Sequence, residues 1–147
     1  MRISRLSLAD VGRLKDLDPT PEPDLWAKEA EQFVFGGELA EFVRRYQDDL
    51  KIVIGEHEAD VEAVGITYPD PRFFATRIGS IVVRYQSRRL GYGLAMLQEL
   101  VNDAIKSGSV CWLVHPNNKG MLACSRQVEP QPNEASIDDG YIMFIAP

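Results

Sequence analysis

Arg88, Arg89, Gly91 and Gly93 stand together in the run Arg88-Arg89-Leu90-Gly91-Tyr92-Gly93, with Arg84 just upstream. Arginine offers a cationic fork that fits phosphate oxygens. Glycine lets the backbone crowd against a ligand. If a helix starts here, its first N–H groups lack partners within the helix, and its dipole favours an anion. The run can hold a phosphate. Other residues of chemical interest lie apart from it: His115, Ser125, the thiols Cys111 and Cys124, and the acid–base groups Glu56, His57 and Asp70. A histidine works near neutrality, whereas a thiol needs an activating partner that cannot be read from this spacing.

The elements around this run define the cradle. Ile78 to Val83 is a β-branched stretch suited to a buried strand. Leu90, Leu94, Leu97, Val101 and Ala104 recur at intervals of three and four, which predicts one apolar helix stripe closed by Lys106-Ser107-Gly108. A P-loop would need Gly-Lys-Ser/Thr, which does not occur. A dinucleotide fingerprint would need a third small residue where Met96 stands, and a turn directly after the strand. Neither pattern fits.

Upstream, Arg2 to Leu6 predicts an opening strand, and Ser7-x-x-Asp10 a capped helix carrying Val11, Leu14 and Leu17. Pro19, Pro21 and Pro23 predict an extended link. Asp24 then caps a helix with Trp26, Ala30 and Phe33, broken at Gly36-Gly37, and a further helix carries Leu39, Phe42, Val43 and Tyr46. Lys51 to Gly55 and Val61 to Tyr68 form an antiparallel hairpin across Glu56 to Asp60, ended by Pro69-Asp70-Pro71. A strand from Arg72 to Val83 leads into the cradle. Val110 to Val114 is a strand parallel to it through a right-handed crossover. Asn117 to Gln127 reads as a short helix, and Tyr141 to Ile145 as a closing strand. One mixed α/β domain over residues 1–147 results.

Composition narrows the class. With 45% hydrophobic and 26% charged residues, the 147-residue chain has the make-up of a soluble globular domain. A net charge of -6 and a pI near 4.9 argue against a nucleic-acid partner. No apolar run is long enough for a membrane span, and Met1 to Ser7 lacks the apolar core of a signal peptide. Two cysteines make no disulfide framework and two distant histidines no metal site, so a metal-free cytoplasmic protein is expected.

Arg88-x-x-Gly91-x-Gly93 after a strand resembles the acyl-CoA-binding signature of the GNAT superfamily of N-acetyltransferases. The element order agrees: a mixed sheet of about six to seven strands, β-α-α-β-β-β-α-β-α-β, with a shortened C-terminal hairpin. The run Val114 to Ser125 resembles the family's segment after its fifth strand, in which an Asn precedes a helix. The resemblance implies transfer of an acetyl group from acetyl-CoA to a primary amine by direct attack, and leaves room for a homodimer. It implies that CoA lies on Ile81, Val82, Val83, Arg88, Arg89, Leu90, Gly91, Tyr92 and Gly93. Asn118 would bond the pantetheine arm or hold the loop beside it.

Departures from the family pattern bear on catalysis. The Tyr that serves many members as acid toward the thiolate is Ser125 here, Val128-Glu129-Pro130 stands for a common Gly-Phe pair, and Arg72 to Val83 contains no carboxylate base. An amine of pKa about 10.4 lies roughly three units above neutrality, so its free base costs about 4 kcal/mol. A thiolate leaving group needs only about 2 kcal/mol of help, so the base matters more than the acid. The candidates are His115, Glu56, His57 and Asp70, with Ser125 in the place of the acid. A non-catalytic acyl-CoA-binding or interaction module that kept the cradle is the alternative reading.

Overall fold

Stretches rich in β-branched and other apolar residues become the strands of one sheet. The computed structural model describes residues 1–16, 34, 38–46, 49–84, 87–137 and 139–147, and the sheet has seven strands in the order β1-β2-β3-β4-β5-β7-β6. β1 (Arg2–Leu6), β2 (Lys51–His57), β3 (Asp60–Asp70) and β4 (Ala75–Val83) form an antiparallel meander. β5 (Val110–Val114) lies parallel to β4, and the hairpin of β6 (Asn133–Ser136) and β7 (Ile142–Ala146) completes the sheet against β5. Among the described residues the α-helices are α1 (Glu38–Tyr46), α2 (Tyr92–Ala104) and α3 (Lys119–Gln127).

Strand alternation sends side chains to two faces, and each face carries its own core. On one, Leu14, Leu39, Ile52, Ile66 and Val82 pack together, with Val34 buried among them. On the other, Leu97 and Val101 of α2 meet Val110, Trp112 and Phe144, and the Trp112 and Phe144 rings stack at 5.7 Å. Gln98 ties α2 to the chain beyond α3. Its amide N–H donates to the Glu129 carbonyl at 2.6 Å, and its oxygen accepts the Glu129 N–H at 2.9 Å.

Several expectations change. Ser7 opens a 3-10 helix, Leu8–Asp16, rather than an α-helix; its hydroxyl accepts the Ala9 N–H at 3.3 Å and its carbonyl the Asp10 N–H at 2.9 Å. Leu17, Pro19, Pro21, Pro23, Asp24, Trp26, Ala30, Phe33 and Gly36-Gly37 lie outside the described residues. β2 runs on to His57, because Glu58 and Ala59 both take positive φ (52° and 71°) and turn the hairpin in two residues. The strand expected from Arg72 starts at Ala75, after a turn over Pro71 to Phe74. Leu90 sits 63% exposed in the loop, and Met96 and Leu100 complete the buried α2 stripe instead. β6, the short partner in the expected C-terminal hairpin, is a four-residue exposed edge strand whose pattern is too short to have been assigned a range.

The feature that shapes the site is a bulge. Ile66 faces Ser80 but Thr67 faces Ile78, so Gly79 is the extra residue in β4. A Cβ at Gly79 would lie 2.6 Å from Tyr68 Cε1 and 3.2 Å from Ile66 Cδ1. β5 pairs with β4 only through Thr76, Arg77 and Ile78, so Gly79 to Val83 continue beyond that ladder. Gly79→Ala is expected to lower stability by about 1–3 kcal/mol through this overpacking, read as a lower urea midpoint. Gly12→Ala, where a Cβ meets nothing within 4 Å, is the control. Equal midpoints for the two variants would mean that the Tyr68 ring yields freely.

Candidate functional site

The cradle is built where β4 ends. The Arg84 N–H donates to the Glu62 carbonyl at 2.8 Å, and the Ser87 N–H closes a turn on the Arg84 carbonyl at 2.9 Å. The buried Ser87 hydroxyl donates to the Glu62 carboxylate. Arg88 Nε donates to the Val83 carbonyl at 3.2 Å, folding the loop back on the strand. Arg89 (φ 67°) and Gly91 (φ 81°) adopt left-handed conformations that carry the chain into α2. Gly91 is the N-cap; no side chain caps the helix, and its first turn holds no acidic residue. The leading amides are therefore left to a ligand or to solvent. Of the three arginines expected to gather on a phosphate, Arg84 is buried and Arg88 is half-buried in the loop closure, while Arg89 is exposed.

Beside the cradle, Asn118 caps α3, its Oδ1 accepting the Met121 N–H at 3.1 Å. The cap fixes the loop at the start of α3. A Cβ on Gly93 would meet Cys124 Sγ and Val83 Cγ2 at 3.8 and 3.9 Å, so α2, α3 and β4 converge there. Burial pushes the Cys124 thiol up, which suits packing better than nucleophilic attack. Ser125, expected at the position of the acid, is 0% exposed, and its Oγ accepts the Trp112 indole N–H at 2.8 Å. That placement ties α3 to β5 inside the core. His115 is half-buried beyond β5, edge-on to Tyr141 at 5.6 Å. Its Nδ1 accepts the Asn117 N–H at 3.1 Å, so the neutral ring carries its proton on Nε2 and faces its surroundings as a donor.

On the α1 side of the sheet, Tyr68 and Arg77 are cross-strand partners next to the bulge. Asp70, 4% exposed, accepts Arg72 Nε at 3.1 Å, Arg72 Nη2 at 2.9 Å and Arg77 Nη1 at 3.3 Å. The Arg72 hydrogen bonds hold its carboxyl at about 2, against burial that works the other way. A carboxylate so held is a poor base, which corrects the expectation for Asp70. Burial raises the Tyr68 phenol, with Arg77 opposing. Glu56 and His57 sit level with the end of β4, since Ala63 pairs with Val83 and Glu56 with Val61. That is four residues, roughly 13 Å of strand, from the Gly79 bulge. Sequence reasoning missed Tyr68 and Arg77. The available signal was a lone arginine at a strand position between Thr76 and Ile78. Among the described residues no group of three or more His, Cys, Asp or Glu could hold a metal, and no helix is long and apolar enough to cross a membrane.

Two outcomes follow from these contacts. Asp70 has a folded pKa below its ordinary 3.8, so its stabilising contribution is complete above that value and fades as pH falls towards about 2. The stability gap between the wild type and Asp70→Asn should therefore narrow, by on the order of 2 kcal/mol, in unfolding curves from pH 5 down to pH 2; a constant gap would refute the pairing. Ser125→Ala strands the buried Trp112 N–H and should cost about 1–3 kcal/mol of stability. Calorimetric melting checks it, and an unchanged melting temperature would show that the bond contributes nothing.

Comparison with known proteins agrees with this geometry. The model of the Acetyltransferase (GNAT) family matches residues 13–127. No curated protein matches the chain. Among solved structures, a ribosomal-protein-alanine N-acetyltransferase from Brucella melitensis is similar with TM-score 0.70 at 16% identity, over 99% of both chains. A GNAT superfamily phosphinothricin acetyltransferase from Sinorhizobium meliloti, in complex with AcCoA, has TM-score 0.72 at 13% identity, covering 99% of this chain and 87% of that one. The paia N-acetyltransferase from Thermoplasma acidophilum, in complex with coenzyme A, has TM-score 0.69 at 13% identity over 99% and 98%. At these identities the likeness is one of fold, and with most of the chain matched by the family model, the chain belongs to the GNAT family of acetyltransferases.

Proposed function

We propose that this protein transfers an acetyl group from acetyl-CoA to a primary amine by direct attack. The observation that carries the reading is the uncapped start of α2 behind Gly91, set at the end of a β4 that has outrun its pairing with β5. The amides of Tyr92, Gly93 and Leu94 would hold the pyrophosphate, with Arg89 adding charge from the loop. The backbone of Ile81 to Val83, at the part of β4 beyond the β5 ladder, suits the amides of an extended pantetheine arm. Bound there, the thioester supplies an activated acyl carbon. The amine forms the new C–N bond as the C–S bond breaks, and the one proton it loses passes through solvent to the departing thiolate, which is released as the thiol.

The described residues bear on how that proton is handled. With Nδ1 engaged by the Asn117 N–H, the neutral His115 ring would offer a leaving thiolate a hydrogen bond from Nε2–H, not a proton. Asp70 is held ionised by its arginines. The amine must reach the site as its free base. That state costs about 4 kcal/mol at neutral pH for a lysine-like amine of pKa about 10.4, but only about 1 kcal/mol for an α-amino group of pKa about 7.7–8.0. The reading therefore favours amines less basic than a lysine side chain. The absence of an available carboxylate base among the described residues on this face also favours a second reading, binding without turnover. Thiol release with pooled amines at rising pH separates the two.

Acetyl-CoA at a hundredfold excess over its Kd should stabilise the fold by about 2.7 kcal/mol, seen as a raised melting temperature. Gly91→Val should remove most of that gain, since a β-branched residue is strained at positive φ and displaces the leading amides. An unmoved wild-type melting temperature at millimolar acetyl-CoA would overturn both readings.

A further inference from the structure

Among the described residues, Arg77 is only partly neutralised. One carboxylate, Asp70, faces two guanidinium groups, Arg72 and Arg77. Asp70 Oδ1 already accepts the Arg72 backbone N–H and Nε, each at 3.1 Å, and Oδ2 accepts Arg72 Nη2 at 2.9 Å. Arg77 adds a single longer contact from Nη1 at 3.3 Å. The trio carries a net charge of +1, and the other titratable groups against it, the Tyr68 phenol and the Cys111 thiol, are both raised by burial and so remain neutral. Arg77 Nε is buried and has no hydrogen-bond acceptor among the described residues. The side chain is 18% exposed. Nε itself is closed to a ligand, so what favours an anion is the exposed part of the side chain within this net-positive cluster.

Its position says what that is. Arg77 shares its face of β4 with Tyr68 of β3 and Cys111 of β5, its cross-strand partners. It lies two residues, about 6.6 Å of strand, from Gly79, where β4 parts from the β5 ladder. The opposite face is filled by the α2 and α3 core, so an acceptor reaches the parting from the Arg77 side. We propose that Arg77 binds a carboxylate on the acceptor, so that the acceptors are small amines bearing a carboxylate a few bonds from the reacting nitrogen, in the manner of amino acids. This rests on the acetyltransferase reading above. The guanidinium fork matches a carboxylate in two parallel hydrogen bonds, and the spacing from Arg77 to Gly79 is of the order of one such molecule.

The test uses matched sets with small, aliphatic and aromatic side chains: each amino acid, its amide, and the amine lacking the carboxyl group. Calorimetry measures their binding with CoA present, and thiol release measures kcat/KM. Carboxylated members should exceed their partners at least tenfold in both. Arg77→Gln should erase that preference while leaving the acetyl-CoA melting shift intact. Arg77→Lys should keep part of it. Arg72→Ala, at a side chain 68% exposed, should reduce it, because Asp70 then claims Arg77 alone. No preference in the wild type, or an Arg77→Gln that weakens all amines equally, overturns the proposal and leaves Arg77 a packing residue. A missing acetyl-CoA shift is instead a failure of the acetyltransferase reading, and calorimetry of the amino acids without CoA then still decides whether Arg77 binds carboxylates.

Discussion

Two parallel strands can share a ladder only while both keep the same pleat, and the extra residue at Gly79 breaks that condition in β4. Up to Ile78 the strand is tied to β5; from Gly79 onward it is tied only to β3. The backbone hydrogen-bonding groups of the second half of β4 therefore need partners other than β5. The bulge exists because residue 79 has no side chain, with the Tyr68 ring and Ile66 occupying the space where a Cβ would stand. A local packing constraint thus sets where the sheet opens.

The elements around that opening divide the labour. α2 begins just beyond the end of β4 and brings uncapped amides to it, while Arg88 and Ser87 pin the intervening loop to Val83 and Glu62. α3 is anchored from beneath by the Trp112–Ser125 bond and capped by Asn118, so its start stays fixed beside β5. These bonds serve geometry. In the proposed reaction they bring a bound thioester to the same place each time, and orientation alone supplies a large part of a barrier reduction when the nucleophile is already in its free-base form.

Among the described residues the acid–base side is sparse by comparison. The single carboxylate of the Asp70 cluster is saturated by arginine, the serine at the position of the acid is buried, and the nearest histidine presents a proton rather than a lone pair. The face carries a surplus cation, Arg77, where the family resemblance led one to look for a carboxylate. A cation there repels a second cation and attracts an anion, which is the physical basis of the acceptor proposed above.

Much of the fold was legible in the residues themselves. Short β-rich runs marked β2, β3 and β5, apolar spacing of three and four marked α2, and Arg88-x-x-Gly91-x-Gly93 located the cradle, because residue type and glycine act locally and leave a local trace. The 3-10 helix at Leu8–Asp16, the bulge at Gly79 and the edge strand β6 left no such trace. Each depends on what a neighbouring segment places against it: Ser7 bonding forward, Tyr68 crowding residue 79, β7 offering a ladder to four exposed residues. Roles shifted for the same reason. Ser125 looked like an acid position until Trp112 claimed its oxygen, and Asp70 like a base until two arginines from a turn and the next strand closed on it. Residue type and spacing determined that a loop rich in glycine and arginine sits between a strand and a helix. Which side chains remain available for chemistry was decided only in three dimensions, because a hydrogen bond to a residue far along the chain consumes a functional group without changing the sequence around it.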